Sequence, residues 1–358
     1  MERVLEIDGS IGEGGGQVLR YSLALSVLTL RPLRIYNIRA KRDNPGLRPQ
    51  HLTAVRALQE LSDAVVRGDR VGSTELYFEP RARLAGNYKF DVGTAGSVSL
   101  VLQAIMPALL FAEARTRVEI SGGTDVRWSP PIDYLRTVFV HNIALMGATV
   151  RIDVVRRGYY PRGGGLVEAR VEPLSQPLAP IEAVGGGRPL FVRGISHAAN
   201  LPRHVAERQA SSAREILARE LGLNPEIQVE HVPRALHTSP GSGIVLYAEL
   251  PSRTMIGADS LGERGKPAEA VGGEAAKLLV EEARSGAAFD RHMGDMLVPY
   301  MFLAAGKSRI DVSSLTLHTL TAIEISKMFF RESSAEVLGG LGTKSTVIIR
   351  GVGYRPNR

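Results

Sequence analysis

One alternation of apolar and polar positions recurs three times along this chain, and each recurrence predicts the same run of elements. A turn of small residues leads into an apolar helix of about four turns, followed by a brief β-branched strand. The first copy has its turn at Gly12-Glu13-Gly14-Gly15-Gly16, its helix over 18–28 and its strand over 33–38. The second has Gly93-Thr94-Ala95-Gly96-Ser97, then a helix over 100–111 and a strand over 117–121. The third has Gly294-Asp295, a helix over 296–304 and a strand over 308–312. A second helix follows each copy, with apolar residues at i, i+3 and i+4 over 52–61, 132–146 and 319–330. Strand-like alternation closes the units, as at 149–154 and 345–350. The pattern predicts an α/β (α+β) protein built from three βαβαββ repeats.

The interval 186–285 breaks this rhythm. It opens beside Gly185-Gly186-Gly187-Arg188-Pro189, carries a charged helix over 203–221 and strands over 226–232 and 243–250, and ends with a helix over 267–287. It is long enough to hold its own small core, so an inserted α/β domain is expected, with a divergent fourth repeat as the alternative. The expected division is 1–185 for repeats one and two of a large catalytic domain, 186–285 for the insert, and 286–358 for the third repeat that completes the large domain.

Composition narrows the chemistry. A chain of 358 residues exceeds the size at which one core usually stops growing, which agrees with a large domain plus an insert. With no cysteine, disulfides, thiolate metal sites and cysteine nucleophiles are excluded. No apolar run is long enough to span a membrane, and the first residues lead straight into strand-like alternation, so a cytoplasmic protein with no membrane partner is expected. A formal charge of +7, carried mostly by arginine, suits a polyanionic partner.

Several strings carry candidate chemistry. His318 lies where the apolar strand-like run around Leu315 gives way to a helix, a place where a neutral imidazole has one nitrogen held by the fold and the other free to attack phosphorus. A polar cap is the plainer reading of the same residue. The glycines at 14–16 let the backbone approach an anion at the start of a helix, and Glu13 beside them offers one carboxylate to Mg²⁺ or Mn²⁺. The string is neither a Walker loop nor a dinucleotide fingerprint, and a plain glycine turn is the alternative. Arg39, Lys41, Arg42 and Arg48, with Gln50 and His51, crowd a loop before a helix and suit a phosphodiester backbone or terminal phosphate. A solvated basic loop would look the same. The turn Gly122-Gly123-Thr124-Asp125 through Ser129-Pro130-Pro131 offers Pro130 and Tyr134 as flat surfaces for a purine. The string Arg157-Gly158-Tyr159-Tyr160-Pro161-Arg162-Gly163-Gly164-Gly165 reads as a tightly specified hairpin, structural ahead of ligand-binding. Aromatic residues are sparse, with Trp128 the only tryptophan, which disfavours extensive base-stacking platforms.

Taken together, Glu13-Gly14-Gly15-Gly16-Gln17, the Arg157–Gly165 string, Pro202-Arg203-His204-Val205-Ala206-Glu207-Arg208 and His318-Thr319-Leu320-Thr321 resemble the RNA 3′-terminal phosphate cyclase family from end to end. The resemblance implies three repeats, each a four-stranded sheet with two helices, related to enolpyruvyl transferases and to the C-terminal domain of translation initiation factor three, with a small α/β insert. It implies ATP and Mg²⁺ or Mn²⁺ as cofactors and an RNA with a 3′-terminal phosphate as partner, and it leaves a homodimer open. His318 would become adenylylated. Glu13 would hold the metal, and Gln103 would lie in the nucleotide site with Pro130, Tyr134, His292, Met293, Gly294, Asp295 and Met296. Arg20, Arg39, Arg42, Gln50 and His51 would line the RNA-end groove. The chain departs from the family at His292, where bacterial members often have tyrosine, and at Met296, where they have glutamine, which puts nucleotide selectivity in doubt. The implied reaction converts the 3′-phosphate to a 2′,3′-cyclic phosphodiester through histidine–AMP and RNA–adenylate intermediates. A non-catalytic RNA-binding or ribosome-assembly relative and an enolpyruvyl-transferase-like enzyme are the alternatives.

Overall fold

The protein is described here by a computed structural model covering residues 4–355. Sixteen strands are named in chain order: β1 (Leu5–Asp8), β2 (Leu33–Tyr36), β3 (Val65–Arg67), β4 (Leu76–Glu79), β5 (Asn87–Asp91), β6 (Thr116–Gly122), β7 (Thr149–Arg156), β8 (Gly165–Glu172), β9 (Glu182–Ala183), β10 (Phe191–Ala199), β11 (Glu226–Val232), β12 (Gly241–Glu249), β13 (Met255–Leu261), β14 (Lys307–Val312), β15 (Ser334–Leu338) and β16 (Ser345–Arg350). The helices are α1 (Gly16–Thr29), α2 (Pro49–Ser62), α3 (Val98–Leu110), α4 (Ile132–Tyr134), α5 (Val140–Ala144), α6 (Arg203–Leu221), α7 (Ala268–Arg284), α8 (Met293–Leu303) and α9 (Leu317–Phe329). No helix among the described residues is long and apolar enough to cross a membrane.

The strands form four-stranded mixed sheets, in the orders β1-β2-β4-β3, β5-β6-β8-β7, β9-β14-β16-β15 and β11-β10-β12-β13. The first three share one order, with the first two strands parallel and the others antiparallel. Helices that are apolar all round must be buried. Every residue of α3 is buried, and α1 packs against α2, α3 and α9 while α8 packs on α9, so these helices share one large core with the inner faces of the three sheets. The fourth sheet has a separate core: α6 and α7 lie together on it around Val192, Leu217, Ile244, Ile256 and Leu279.

Two details differ from the sequence expectation. The third sheet takes its edge strand, β9, from residues 182–183, which pair with β14 although they lie on the other side of the border expected at 185. Two residues carry no legible alternation. The helix expected over 132–146 is broken by a π-helical turn at Leu135–Phe139. There the Thr137 hydroxyl donates to the Asp133 carbonyl at 2.6 Å, competing for an acceptor of the regular ladder.

Candidate active site

The loop after β14 places His318 in the first turn of α9. Thr316 caps this helix, its hydroxyl accepting from the Thr319 N–H at 3.1 Å. His318 is exposed, and its Nδ1 lies 3.1 Å from Gln17 Oε1. The Gln17 amide is oriented from its other end, where Nε2 donates to Asp295 Oδ2 at 3.0 Å. Its oxygen therefore faces the imidazole and accepts from Nδ1–H, which leaves the lone pair on Nε2. Tyr21, one turn after Gln17 on α1, donates to the same carboxylate at 3.3 Å and to the Asp295 carbonyl at 3.1 Å. Burial pushes the Asp295 carboxyl up, opposed by His318, His292 and Arg20, and burial with the Asp295 charge keeps the Tyr21 phenol protonated.

The glycine turn before α1 lies beside this string. Thr321 on α9 accepts from the Glu13 N–H at 3.1 Å. Arg42 pairs with Glu13 Oε2, and Lys41 Nζ donates to the Gly12 carbonyl at 2.9 Å, so the basic loop folds onto the turn. A Cβ at Gly15 would sit 2.6 Å from the Arg42 guanidinium, and one at Gly16 would sit 2.9 Å from Arg20 Nη1, so only glycine keeps this cradle open. The Nε of Arg20 is buried with no hydrogen-bond partner among the described residues, a donor suited to an anion. His51 is buried, and its Nδ1 accepts from the Arg48 N–H at 3.2 Å, so a neutral ring carries its proton on Nε2, near Gly16. Burial, aided by Arg20, Arg39 and Arg48, pushes His51 down to about 3, which keeps it neutral.

The remaining basic-loop residues divide by task. Gln50 Oε1 accepts from the Ser97 N–H at 3.2 Å, tying α2 to the cap of α3. Arg39 donates through Nη1 to the carbonyls of Asn44 and Gly46 at 2.7 and 2.9 Å and so shapes its own loop. For a divalent ion, Glu13 is the one carboxylate at the glycine turn. Its Oε1 meets only a 3.4 Å contact from the Gln17 N–H, so a lone pair remains. One carboxylate completed by phosphate oxygens and water is a fit for Mg²⁺.

His292 is exposed and Pro130 half-buried. Tyr134 corrects the expectation of a free aromatic face. It is 1 % exposed, its hydroxyl donates to Asp290 Oδ1 at 2.7 Å, and the Gly257 backbone covers its ring. Only its edge nears His292, with ring centroids 6.1 Å apart at 87°. Met293 and Met296 likewise sit in the core. Gly294 lets α8 pack against α9, where a Cβ would meet Thr319 Oγ1 at 2.9 Å. Gln103 and Met296 border a narrow, mainly apolar cavity that Tyr21 also lines.

Three groups escaped sequence reasoning. Asp290 organises the start of α8, accepting from Tyr134 OH and from the N–H groups of Gly257, His292 and Met293. Asp259 on β13 is pushed up to about 6 by burial, opposed by His292 and aided by Asp125 and Asp290. No local pattern marks either acid. Tyr21 had a signal, since it follows Gln17 at i+4 on one helix face.

The Arg157–Gly165 string is structural. Arg157, almost fully buried, pairs with Asp133 at 2.8 Å, Asp125 at 3.4 Å and Glu230 at 2.7 Å. His197 lies 3.3 Å from Asp125 and holds Tyr159 OH at 2.7 Å. Because His197 lies on β10 and Glu230 on β11, the string locks the fourth sheet to the second one. Among the described residues, Asp125, Asp133 and His197 form the one cluster dense enough for a metal, but the Arg157 guanidinium already compensates its charge.

A sequence profile described as RNA 3′-terminal phosphate cyclase matches residues 11–334. Proteins of that name from Staphylothermus marinus and Desulfurococcus amylolyticus are 59 % and 57 % identical over 355 residues, each alignment covering 99 % of both chains. The namesake from Hyperthermus butylicus is 49 % identical over 359 residues, covering 99 % of this chain and 100 % of its own. Among solved structures, an EPSP synthase from Acinetobacter baumannii aligns over 98 % of this chain and 65 % of its own at 11 % identity, with a TM-score of 0.24 that is too low to bear on the fold. On this sequence identity and full-length coverage, the chain belongs to the RNA 3′-terminal phosphate cyclase family.

Proposed function

We propose that this chain is a cytoplasmic enzyme that uses ATP to convert an RNA 3′-terminal phosphate into a 2′,3′-cyclic phosphodiester, with His318 as the covalent nucleophile. One observation carries the reading: an exposed imidazole whose Nδ1 is engaged by an amide, itself fixed by Asp295, with Nε2 left free. Nε2 attacks the α-phosphorus of ATP, forming a P–N bond as the P–O bond to pyrophosphate breaks. An oxygen of the RNA 3′-phosphate then attacks the same phosphorus, releasing the imidazole and forming an RNA–adenylate anhydride. The adjacent 2′-hydroxyl attacks the RNA phosphorus, loses its proton and expels AMP. Tethering gives that hydroxyl a high effective concentration, so activating the phosphate is the main task left to the enzyme.

Each surrounding residue has a part in this scheme. Arg20, Arg42 and the neutral His51 supply donors where phosphate charge accumulates. A divalent ion on Glu13 would offset charge between phosphates, the Arg42 pair opening to admit it. Pro130 and His292 flank the base, while Tyr134 and Asp290 support His292 from beneath. At the level of architecture, the three sheets of common order are copies of one repeat, and the 186–285 segment is an inserted domain held by Arg157.

Incubation with α-labelled ATP and magnesium tests the scheme. Label that stays with the denatured wild-type chain and is absent from His318→Ala is the expected result. Cyclised RNA from the variant, or unlabelled wild type, contradicts it.

A further inference from the structure

Two loops beside the site project the most exposed aromatic rings of the described chain. Trp128 is 95 % exposed and Tyr160 76 % exposed. Trp128 has a φ of 65°, a conformation that side chains other than glycine, asparagine and aspartate rarely adopt. Its turn is closed at the base by the Ile132 N–H donating to the Thr124 carbonyl at 3.0 Å, and pinned by Ser129 on the Val126 carbonyl at 3.0 Å and Arg127 on Glu263 at 2.5 Å. The ring is thus held outward. The second loop lies alongside, with the Thr124 and Asp125 N–H groups donating to the Gly158 carbonyl at 2.9 and 3.4 Å. There Arg156 and Arg162 are exposed. Each spends one nitrogen on a carbonyl, of Gly164 and Leu236, and neither has a carboxylate partner among the described residues.

These loops are joined to the phosphate-handling side by a short path. Gln50 holds the Ser97 N–H, and Gly163 packs so closely on the neighbouring Thr94 carbonyl that a Cβ would lie 2.6 Å from it. Between them Gly93 is exposed, and a Cβ there would meet nothing within 4 Å. We propose that single-stranded RNA upstream of the 3′-phosphate runs from Gln50 across the open Gly93–Gly96 turn to these loops, where Trp128 and Tyr160 stack bases and Arg156 and Arg162 face the backbone. Stacking with uncompensated arginines is the chemistry of sequence-tolerant single-strand binding. The surface rests on the reading that RNA ends are the substrate, and adds where the body of that RNA lies.

Because Trp128 is the only tryptophan, its fluorescence reports this loop alone. Titration with an unstructured oligoribonucleotide, ending in 3′-phosphate or 3′-hydroxyl, is expected to quench it without nucleotide, and the 3′-hydroxyl oligomer also in protein saturated with ATP and magnesium. Trp128→Ala and Tyr160→Ala are each expected to weaken binding of the oligomer by roughly fivefold or more, and to leave the KM of a dinucleotide 3′-phosphate, too short to reach, within twofold. No quenching by the oligomer, an emission change with protein concentration but not with RNA, or wild-type oligomer affinity in both variants overturns the proposal. Cyclisation that persists with unchanged oligomer KM in both variants removes the surface and spares the chemistry. Quenching by RNA without any His318 adduct removes the chemistry and spares the surface.

Discussion

The reactivity assigned to His318 depends on Gln17 as much as on the imidazole. Replacing Gln17 with methionine keeps the bulk and removes the acceptor that fixes the tautomer. The expected result is a loss of about a hundredfold in the self-adenylylation rate at saturating ATP, the scale of a misplaced reacting atom. Quench-flow labelling measures it, and an unchanged melting temperature would exclude a folding defect. His51 gives a prediction in pH. Its folded value of about 3 lies below the ordinary 6.5, so the contribution of burying it neutral is complete above pH 6.5 and is lost as pH falls towards 3. In that window His51→Gln should flatten the acid decline of unfolding free energy by about 1.4 kcal/mol per pH unit, as read by denaturant melts at several pH values. The placement of His318 and Glu13 was legible because local pattern marks it: a strand-to-helix junction and a glycine turn. The Gln17–Asp295 contact was not, because it spans 278 positions and no pattern within either segment points to the other.

Among the elements, the glycine turn and the Arg157 hairpin bear different loads. Gly15→Ala should close the cradle by driving a methyl group into the Glu13–Arg42 pair, and nucleotide affinity should fall in equilibrium titrations while the melting temperature moves little. Arg157→Ala should do the reverse. It leaves Asp125, Asp133 and Glu230 without their shared cation, with Arg136 still 2.6 Å from Asp133, and breaking a buried pair in this way costs about 3–5 kcal/mol. Calorimetry should show either a large drop in stability or separate melting of the insert. The period-3.6 and period-2 patterns made α1, α3, α9 and most strands readable. They failed at β9, which is too short to show a period, and at 132–146, where Thr137 diverts a ladder acceptor. Tyr134 was misread for a different reason: a tyrosine after two prolines looks like an exposed ring until Asp290, from a remote segment, takes its hydroxyl.

Over the whole molecule, the three sheets of like order bring their helices together so that residues from α1, α8 and α9 meet at one point. Neither the meeting point nor the acids Asp259 and Asp290 beneath it follow from any single segment. The repeat pattern predicted the units, and the side chains that converge between them appear only when the chain is folded. Since the whole scheme turns on a covalent nucleotidyl transfer to one ring nitrogen, the most direct measurement is mass spectrometry of the chain after incubation with ATP and magnesium, without RNA. The account predicts a single AMP adduct on the peptide containing His318, lost when RNA 3′-phosphate is added. An adduct on another residue, or cyclised RNA formed with no adduct at any time, would contradict it.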